Sequence, residues 1–166
     1  ELFIGCAGGK GIVATFKPEY KAAPQDLVWL RASVSGLKGG HSGGEIHVGL
    51  GNANKLLTRY LYALEKNLDW CLAEIGGGNL HNAIPREAHA LIGVKAEELL
   101  RELDAAVRNE LKAVDPKVRL DIEDAAAPAQ VIDCKTKSAL VRALYACPHG
   151  VLGMSHELEN LVETSN

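Results

Sequence analysis

Hydrophobic and polar residues alternate through "DLVWLRASVSG", the segment from Asp26 to Gly36. Four apolar residues share one side of this alternation: Val28, Leu30, Ala32 and Val34. A period of two is typical of a half-buried β-strand. The pattern therefore predicts a strand that ends at Gly36 and turns one face toward a core.

Two later segments have the period of a helix instead. In the first, apolar residues recur at three- and four-residue steps: Ala53, Leu56, Leu57, Tyr60, Leu61 and Leu64. The second carries a similar stripe: Leu99, Leu100, Leu103, Ala106, Val107 and Leu111. Each stripe predicts an amphipathic helix. Asn52 is a suitable N-cap for the first helix, and the Asp115-Pro116 pair should stop the second because proline cannot continue a helix.

Three more strands complete the pattern: "LDWCLAEI" at 68–75, "EAHALIGV" at 87–94 and "VRLDIED" at 118–124. The connection "GGGNLHNAIPR" is too rich in glycine, asparagine and proline to be either element, so a loop is expected there. The order strand, helix, strand, strand, helix, strand indicates the α+β class. We expect a ferredoxin-like (βαββαβ) antiparallel sheet with two helices on one face.

Segments at both ends lie outside this predicted core, which spans about residues 25–124 of a single domain, 1–166. They include a third helix near residues 136–146 and an N-terminal segment with a potential hairpin at "CAGGKG", residues 6–11. Residues 1–24 and 125–166 could pack at the edge of the core or lead to a neighbouring domain. The sheet face that the two helices leave open also needs a cover.

Composition limits the classes of protein to consider. The chain has 166 residues, of which 47% are hydrophobic and 23% charged, as in ordinary soluble domains. Its formal net charge of -3 argues against general nucleic-acid binding, and no apolar run is long enough to cross a bilayer. The four cysteines are widely spaced, without a C-x-x-C pair, which favours reduced thiols in a cytoplasmic protein.

Three short motifs fail when their chemistry is checked. "GCAGGKG" lacks the first glycine of a P-loop and the Ser or Thr after Lys10. "GLGNAN" has Asn54 where a dinucleotide-binding fingerprint needs its third glycine. His41 and His47 lack the helical H-E-x-x-H spacing that places two imidazoles on one metal. The sequence thus predicts no metal site within this chain.

Two polar loops remain as candidate sites. "LKGGHSGGEIH", residues 37–47, presents His41 among four glycines, and the loop after residue 75 presents Asn82. Glycines allow close approach of backbone to a ligand, and an imidazole can donate a hydrogen bond to a developing oxyanion. The residues alone leave a plainer alternative open. His41 could be a solvated loop side chain, and Asn82 could simply form a turn before proline.

Three stretches together resemble one family: "LKGGHSGGEIHVGLGNANKLL", "GGNLHNAIPREA" and the closing "LVETS". They are similar to the aminoacyl-histidine dipeptidases, zinc metallopeptidases related to carnosinases and aminoacylases. Such enzymes join a catalytic domain with two zinc ions to a smaller lid domain. The resemblance implies that this chain is the lid, which carries dimer contacts and binds no zinc itself. An opening at Glu1 without a methionine agrees with a segment of a longer protein.

The resemblance also implies roles for individual residues. His41 corresponds to the lid histidine that steadies the oxyanion, often at the zinc site of the opposite subunit. Asn82 corresponds to the asparagine of an "N-x-I-P" motif that holds the carboxylate end of a dipeptide substrate. A late substrate-binding arginine of many relatives is missing, because "HGVLGMSHE" has Gly153 and Met154 at that place. An alternative function is a stand-alone ferredoxin-like module that dimerises and binds a small effector.

Overall fold

The computed structural model describes residues 8–67, 69–95 and 98–166. Ten strands and three α-helices occur in these ranges. The strands are β1 (Tyr20–Ala22), β2 (Val28–Ser35), β3 (Gly40–His41), β4 (Cys71–Gly77), β5 (Ala83–Ile84), β6 (Ala88–Val94), β7 (Arg119–Asp124), β8 (Gln130–Ile132), β9 (Val151–Met154) and β10 (Val162–Ser165). The helices are α1 (Ala53–Asn67), α2 (Glu98–Leu111) and α3 (Cys134–Ala146), and one 3₁₀ turn covers Ile46–Val48.

The main sheet has four antiparallel strands in the order β4-β6-β2-β7. Strand β2 lies in the centre, where Ala32 faces Ala90 of β6 on one side and Ile122 of β7 on the other. Strands β2, β4, β6 and β7 with helices α1 and α2 follow the predicted βαββαβ order. The ferredoxin-like fold class is therefore confirmed.

The predicted apolar stripes form the main core between the helices and one sheet face. Leu57, Leu61 and Leu64 of α1 are almost fully buried against β2 and β6. Burial of such side chains contributes roughly 1.5–3 kcal/mol each, so this layer supplies most of the driving force. The α2 stripe is narrower than expected. Ala106 is exposed, whereas Val107 and Leu111 are buried.

One end of the opposite sheet face is covered by a ribbon of β1 and β8, which pair antiparallel. Trp29 packs there with Cys71 and Val131 and is only 5% exposed. The prediction that Val28 faces the core was wrong, since this side chain is 55% exposed at the start of its strand. The burial of Trp29 shows that the β1–β8 ribbon provides the cover that the open sheet face needs, at least at this end of β2.

The third helix packs on the core and is not detached from it. Its N-cap is Asp133, whose side chain accepts hydrogen bonds from the backbone N–H groups of residues 135 and 136. Val141 is fully buried in the main core. Lys137 joins α3 to α1 and β4 through an ion pair with Glu65 at 3.1 Å and a hydrogen bond to the Trp70 carbonyl at 3.0 Å. Of the two placements left open for this helix, the structure has the packed one.

Strand β4 extends farther than the sequence predicted. It runs through Gly77 because Gly76 and Gly77 pair with His89 and Ala88 of β6, although both glycines were assigned to the loop. A Cβ on Gly77 would come within 2.2 Å of Asn54 Oδ1 and 2.7 Å of Ala88 Cβ. Glycine at this point lets β4 continue beside the start of α1, next to the site described below.

The end segments contain less regular structure. Residues 8–19 form neither helix nor strand, and the predicted hairpin at residues 6–11 begins in part outside the described residues. Strands β9 and β10 form a hairpin that exposes Leu152 and Met154. No helix in the described ranges has the length and apolar character needed to cross a membrane.

Candidate functional site

The two polar loops singled out in the sequence meet at one groove of about 670 Å³. Its lining comes from the glycine-rich loop, from the end of β4 and the turn that follows, and from the segment leading into β6. The main lining residues are Lys38, Gly40, His41, Asn79, Asn82, Arg86, Glu87 and His89. We call this cavity the His41 groove. It is open to solvent, and both His41 and Asn82 are exposed.

A two-residue ladder holds the two loops together. Strand β3 pairs antiparallel with β5, so that Gly40 faces Ile84 and His41 faces Ala83. One residue farther along, the Ser42 N–H donates to the Asn82 carbonyl at 3.0 Å. Residues about forty positions apart thereby become neighbours. The structure brings His41 and Asn82, predicted separately, to the same groove.

A tight turn fixes the orientation of the His41 ring. Nδ1 accepts hydrogen bonds from the Gly43 N–H at 3.1 Å and the Gly44 N–H at 2.9 Å. An imidazole nitrogen that accepts hydrogen bonds carries no proton, so the neutral ring has its proton on Nε2. Because the side chain is exposed and lines the groove, the Nε2–H group is a hydrogen-bond donor available to a ligand.

Glu45 holds the backbone of the same turn. Its Oε2 accepts from the His41 N–H at 2.7 Å, and its own N–H donates to the His41 carbonyl at 3.1 Å. The 3₁₀ turn then continues through the Val48 N–H, which donates to the Glu45 carbonyl. Sequence reasoning missed Glu45, because a single exposed glutamate in a loop carries no signal that its side chain binds the backbone of the turn.

The glycine that precedes this turn is required by both conformation and space. Gly39 has a φ of +66°, in the left-handed region that favours glycine. A Cβ there would lie 2.3 Å from Arg86 Cγ and 3.0 Å from the Ile84 carbonyl oxygen. The stem of Arg86 therefore lies directly over the backbone of the His41 loop and forms part of the groove wall.

Cationic and hydrogen-bond-donating groups dominate the groove. Lys38 and Arg86 line it together with His41, and Glu87 is the carboxylate among its lining residues. His89 also lines it, but its Nε2 lies 3.0 Å from Glu74 Oε1, within an ion-pair network that includes Arg31. This arrangement suits an anionic ligand or a carbonyl oxygen that develops negative charge.

His149 and Lys55 lie near the N-terminus of α1. His149 Nδ1 is 3.1 Å from the Nδ2 atom of Asn52, whose Oδ1 accepts from the Lys55 N–H and caps α1 as predicted. Burial lowers the pKa of His149, and the Lys55 charge lowers it further. Lys55 Nζ donates to the carbonyl groups of residues 144, 145 and 147 at the end of α3. These contacts join helices and do not form part of the groove.

Metal binding can be tested on the donor groups themselves. Within the described ranges, no group of three or more His, Cys, Asp or Glu side chains is arranged to hold a metal ion. His41 uses Nδ1 for two amide groups, and His47 and His81 do not line the groove. In the part of the chain that the structure describes, the groove thus provides hydrogen-bond donors and no cluster of metal ligands.

Comparison with known proteins decides the family. The sequence pattern of the peptidase dimerisation domain matches residues 32–119, from the second half of β2 to the first residue of β7, and includes both loops of the groove. This chain belongs to the peptidase dimerisation domain family. All lining residues of the His41 groove lie within the matched part of the dimerisation domain.

Two relatives are similar over nearly the whole dimerisation domain. The cytosol non-specific dipeptidase of Escherichia coli (strain K12) is 39% identical over 171 residues, covering 99% of this chain and 35% of that protein. The crystal structure of aminoacylhistidine dipeptidase from Vibrio alginolyticus matches with a TM-score of 0.86 at 40% identity, covering 90% of this chain and 32% of that one. The chain thus spans about a third of the length of these relatives. The predicted resemblance to dipeptidases is confirmed.

Proposed function

We propose that the dimerisation domain is the lid of a dipeptidase that hydrolyses Xaa-His and related dipeptides. In this proposal residues 1–166 form a single lid domain, and the catalytic domain with two zinc ions belongs to the remainder of a longer protein. The single observation that carries the proposal is the His41 ring, whose Nδ1 is occupied by two backbone N–H groups. The similarity to two dipeptidases supports the same reaction class.

The role proposed for His41 follows from its tautomer. With Nδ1 occupied, Nε2–H donates to the negative charge that develops on the scissile carbonyl oxygen. Two zinc ions, when bound, supply Lewis-acid activation of the carbonyl and of water. The donor needs no reorganisation during the reaction, because the Gly43 and Gly44 amides already hold the ring. His41 is thus a catalytic residue contributed by the lid.

The role proposed for Asn82 is substrate binding. Its exposed side chain lies in the same groove as His41, and its backbone is tied to that loop through the Ser42 N–H. An amide side chain can donate to the carboxylate end of a dipeptide in both the ground state and the transition state. The nearby charges of Lys38 and Arg86 favour the same anionic end.

The proposed partners are the protein's own catalytic domain, a second copy of the chain and a dipeptide. His41 of one subunit is proposed to reach the zinc site of the opposite subunit, so the active enzyme is a homodimer. A cytoplasmic location is proposed as well, because the Escherichia coli relative is a cytosol dipeptidase. The comparisons favour this enzyme over the stand-alone regulatory module, because both relatives are longer dipeptidases. Sedimentation of the full-length protein should give the mass of a dimer, and a monomer at high concentration would contradict this part.

Kinetics of the full-length enzyme test the two residue roles. His41→Ala should lower kcat by roughly 10²- to 10³-fold with little change in KM, because the donor acts mainly in the transition state. Asn82→Ala should act mainly through KM, because its contact exists in both states. The matched control is His47→Ala, which removes an exposed histidine from the same loop but outside the groove. An unchanged kcat in His41→Ala would mean that the glycine loop has only a structural role.

A further inference from the structure

A buried carboxylate joins the two ends of the loop that carries His41. Asp115 lies between α2 and β7, and its side chain is completely buried. Its Oδ1 accepts from the Lys38 N–H at 2.8 Å, and its Oδ2 accepts from the Gly51 N–H at 2.7 Å. Lys38 precedes the catalytic histidine by three residues, and Gly51 is where the loop enters α1. One side chain therefore fixes both points at which the loop leaves the core.

The geometry around these contacts leaves little freedom. A Cβ on Gly51 would lie 2.6 Å from Leu37 Cδ2 and 3.2 Å from Asp115 Oδ2. Glycine at residue 51 therefore permits the close approach of the backbone to the carboxylate. Leu37 is itself buried in the main core, so packing as well as hydrogen bonds attaches the loop to the domain. Buried charges are stable only when hydrogen-bonded, and each of these oxygens has one amide donor from the same loop.

The carboxylate acts on a segment that is already ordered within itself. Glu45 closes the turn around the His41 backbone, and the amides of residues 43 and 44 hold the ring. What these local bonds do not determine is where the whole loop sits relative to the sheet. The β3–β5 ladder attaches the loop near its middle, and the Asp115 contacts attach it at its two ends.

We propose that Asp115 is a positioning residue for His41. By binding the Lys38 and Gly51 amides, it fixes the position of the loop relative to the sheet, and so the position of the His41 Nε2–H donor in the groove. This inference rests on the catalytic role proposed for His41. Asp115 does not touch the groove and acts only through the loop. A misplacement of about 1 Å in a catalytic group can lower a rate by about 10²-fold.

The test uses Asp115→Asn in the full-length enzyme. Asparagine keeps one acceptor oxygen but places an NH₂ donor against the other amide, so one loop end is released. We expect kcat to fall by about 10- to 100-fold while KM changes by less than about threefold. An effect on kcat without a matching effect on KM is typical of a lost transition-state contact. The matched control is Asp104→Asn. Asp104 also accepts from a backbone N–H, that of Leu120 at 2.9 Å, and its other oxygen accepts from Arg108 Nε at 2.6 Å, so the hydrogen bonds found for it lie outside the loop.

A double-variant cycle separates positioning from general destabilisation. If Asp115 acts through His41, then Asp115→Asn should cause no further loss of kcat in a His41→Ala background, because the group that it positions is already gone. If the fold-losses of kcat in the two single variants multiply in the double variant, the proposal is overturned. A loss of kcat in Asp104→Asn equal to that in Asp115→Asn at similar thermal stability would also overturn it.

Hydrogen exchange gives a readout independent of activity. In Asp115→Asn, amides of residues 38–51 should exchange faster while those of α1 stay protected, and unchanged exchange in the loop would contradict the inference. If His41→Ala leaves kcat unchanged, the proposed function fails although the exchange result can still stand. Should Asp115→Asn fail to fold, Gly51→Ala disturbs the same contact from the opposite side. Gly51→Ala should then lower kcat by the same factor, and it should cause no further loss of kcat when combined with His41→Ala.

Discussion

Replacement of Gly39 by alanine tests whether the His41 loop needs a glycine for conformation, for space or for both. The backbone at this position has a φ of +66°. The added Cβ would lie 2.3 Å from Arg86 Cγ, 2.8 Å from Arg86 Cδ and 3.0 Å from the Ile84 carbonyl oxygen. The first two atoms belong to a side chain that can move. The third belongs to the β3–β5 ladder, which cannot move without releasing His41.

The size of the effect can be worked out from a second glycine in the same loop. Gly49 has a similar φ of +76°, but a Cβ there would meet nothing within 4 Å. Gly49→Ala should therefore show the conformational penalty alone, about 1–2 kcal/mol. Gly39→Ala adds overpacking of about 1–3 kcal/mol, giving a total loss of about 2–5 kcal/mol in the free energy of unfolding. Most small domains have about 5–15 kcal/mol in all, so the variant should fold but be clearly weakened.

Urea unfolding followed by tryptophan fluorescence measures both values in the purified chain. Trp29 and Trp70 are 5% and 4% exposed, so both should report the loss of packing. The difference between Gly39→Ala and Gly49→Ala isolates the steric part of the penalty. Equal losses in the two variants would refute the reasoning, because they would mean that Arg86 and the ladder do not restrict the space at Gly39.

Two further predictions concern the parts of the domain that support the site. Val141→Ala should lower the free energy of unfolding by about 2 kcal/mol because Val141 is fully buried, whereas Val151→Ala, at a residue 37% exposed, should change it by less than about 0.5 kcal/mol in the same urea assay. The His149 pKa is lowered by burial and by Lys55, so the unfolded chain binds the proton more readily. Stability should therefore fall as the pH is lowered through the ordinary histidine pKa of 6.5 toward the lower folded value, and an equally steep fall in His149→Gln would contradict this.

The fold could be predicted largely because its elements are periodic. The α1 stripe is buried throughout, and strand β2 alternates as expected from Leu30 to Val34. Prediction failed where a second layer changed the environment. Trp29 lies between Val28 and Leu30, on the face opposite the predicted core side, and yet the β1–β8 ribbon buries it. A local pattern contains no information about a strand that arrives from a hundred residues farther along the chain.

The candidate site was predicted in parts. Glycines around His41 and the Asn82 turn could each be recognised in the sequence, and the structure brings both to the His41 groove. Their attachment could not be predicted, because it depends on contacts distant in sequence. Asp115 was read only as the end of a helix before proline, and its carboxylate contacts lie 77 and 64 residues away. A buried carboxylate with backbone partners leaves no periodic signal in a sequence.

The ladder of β3 and β5 has a consequence for motion. His41 lies on β3 and Asn82 directly precedes β5, and the pairing of these strands with the Ser42–Asn82 hydrogen bond fixes the separation of the two residues inside this domain. A rigid-body movement of this domain carries β3 and β5 together, so it cannot move one of these two residues without the other. Closure would therefore deliver both groups to a ligand in a single event, and opening would withdraw both together. His41 and Asn82 therefore move as one rigid body.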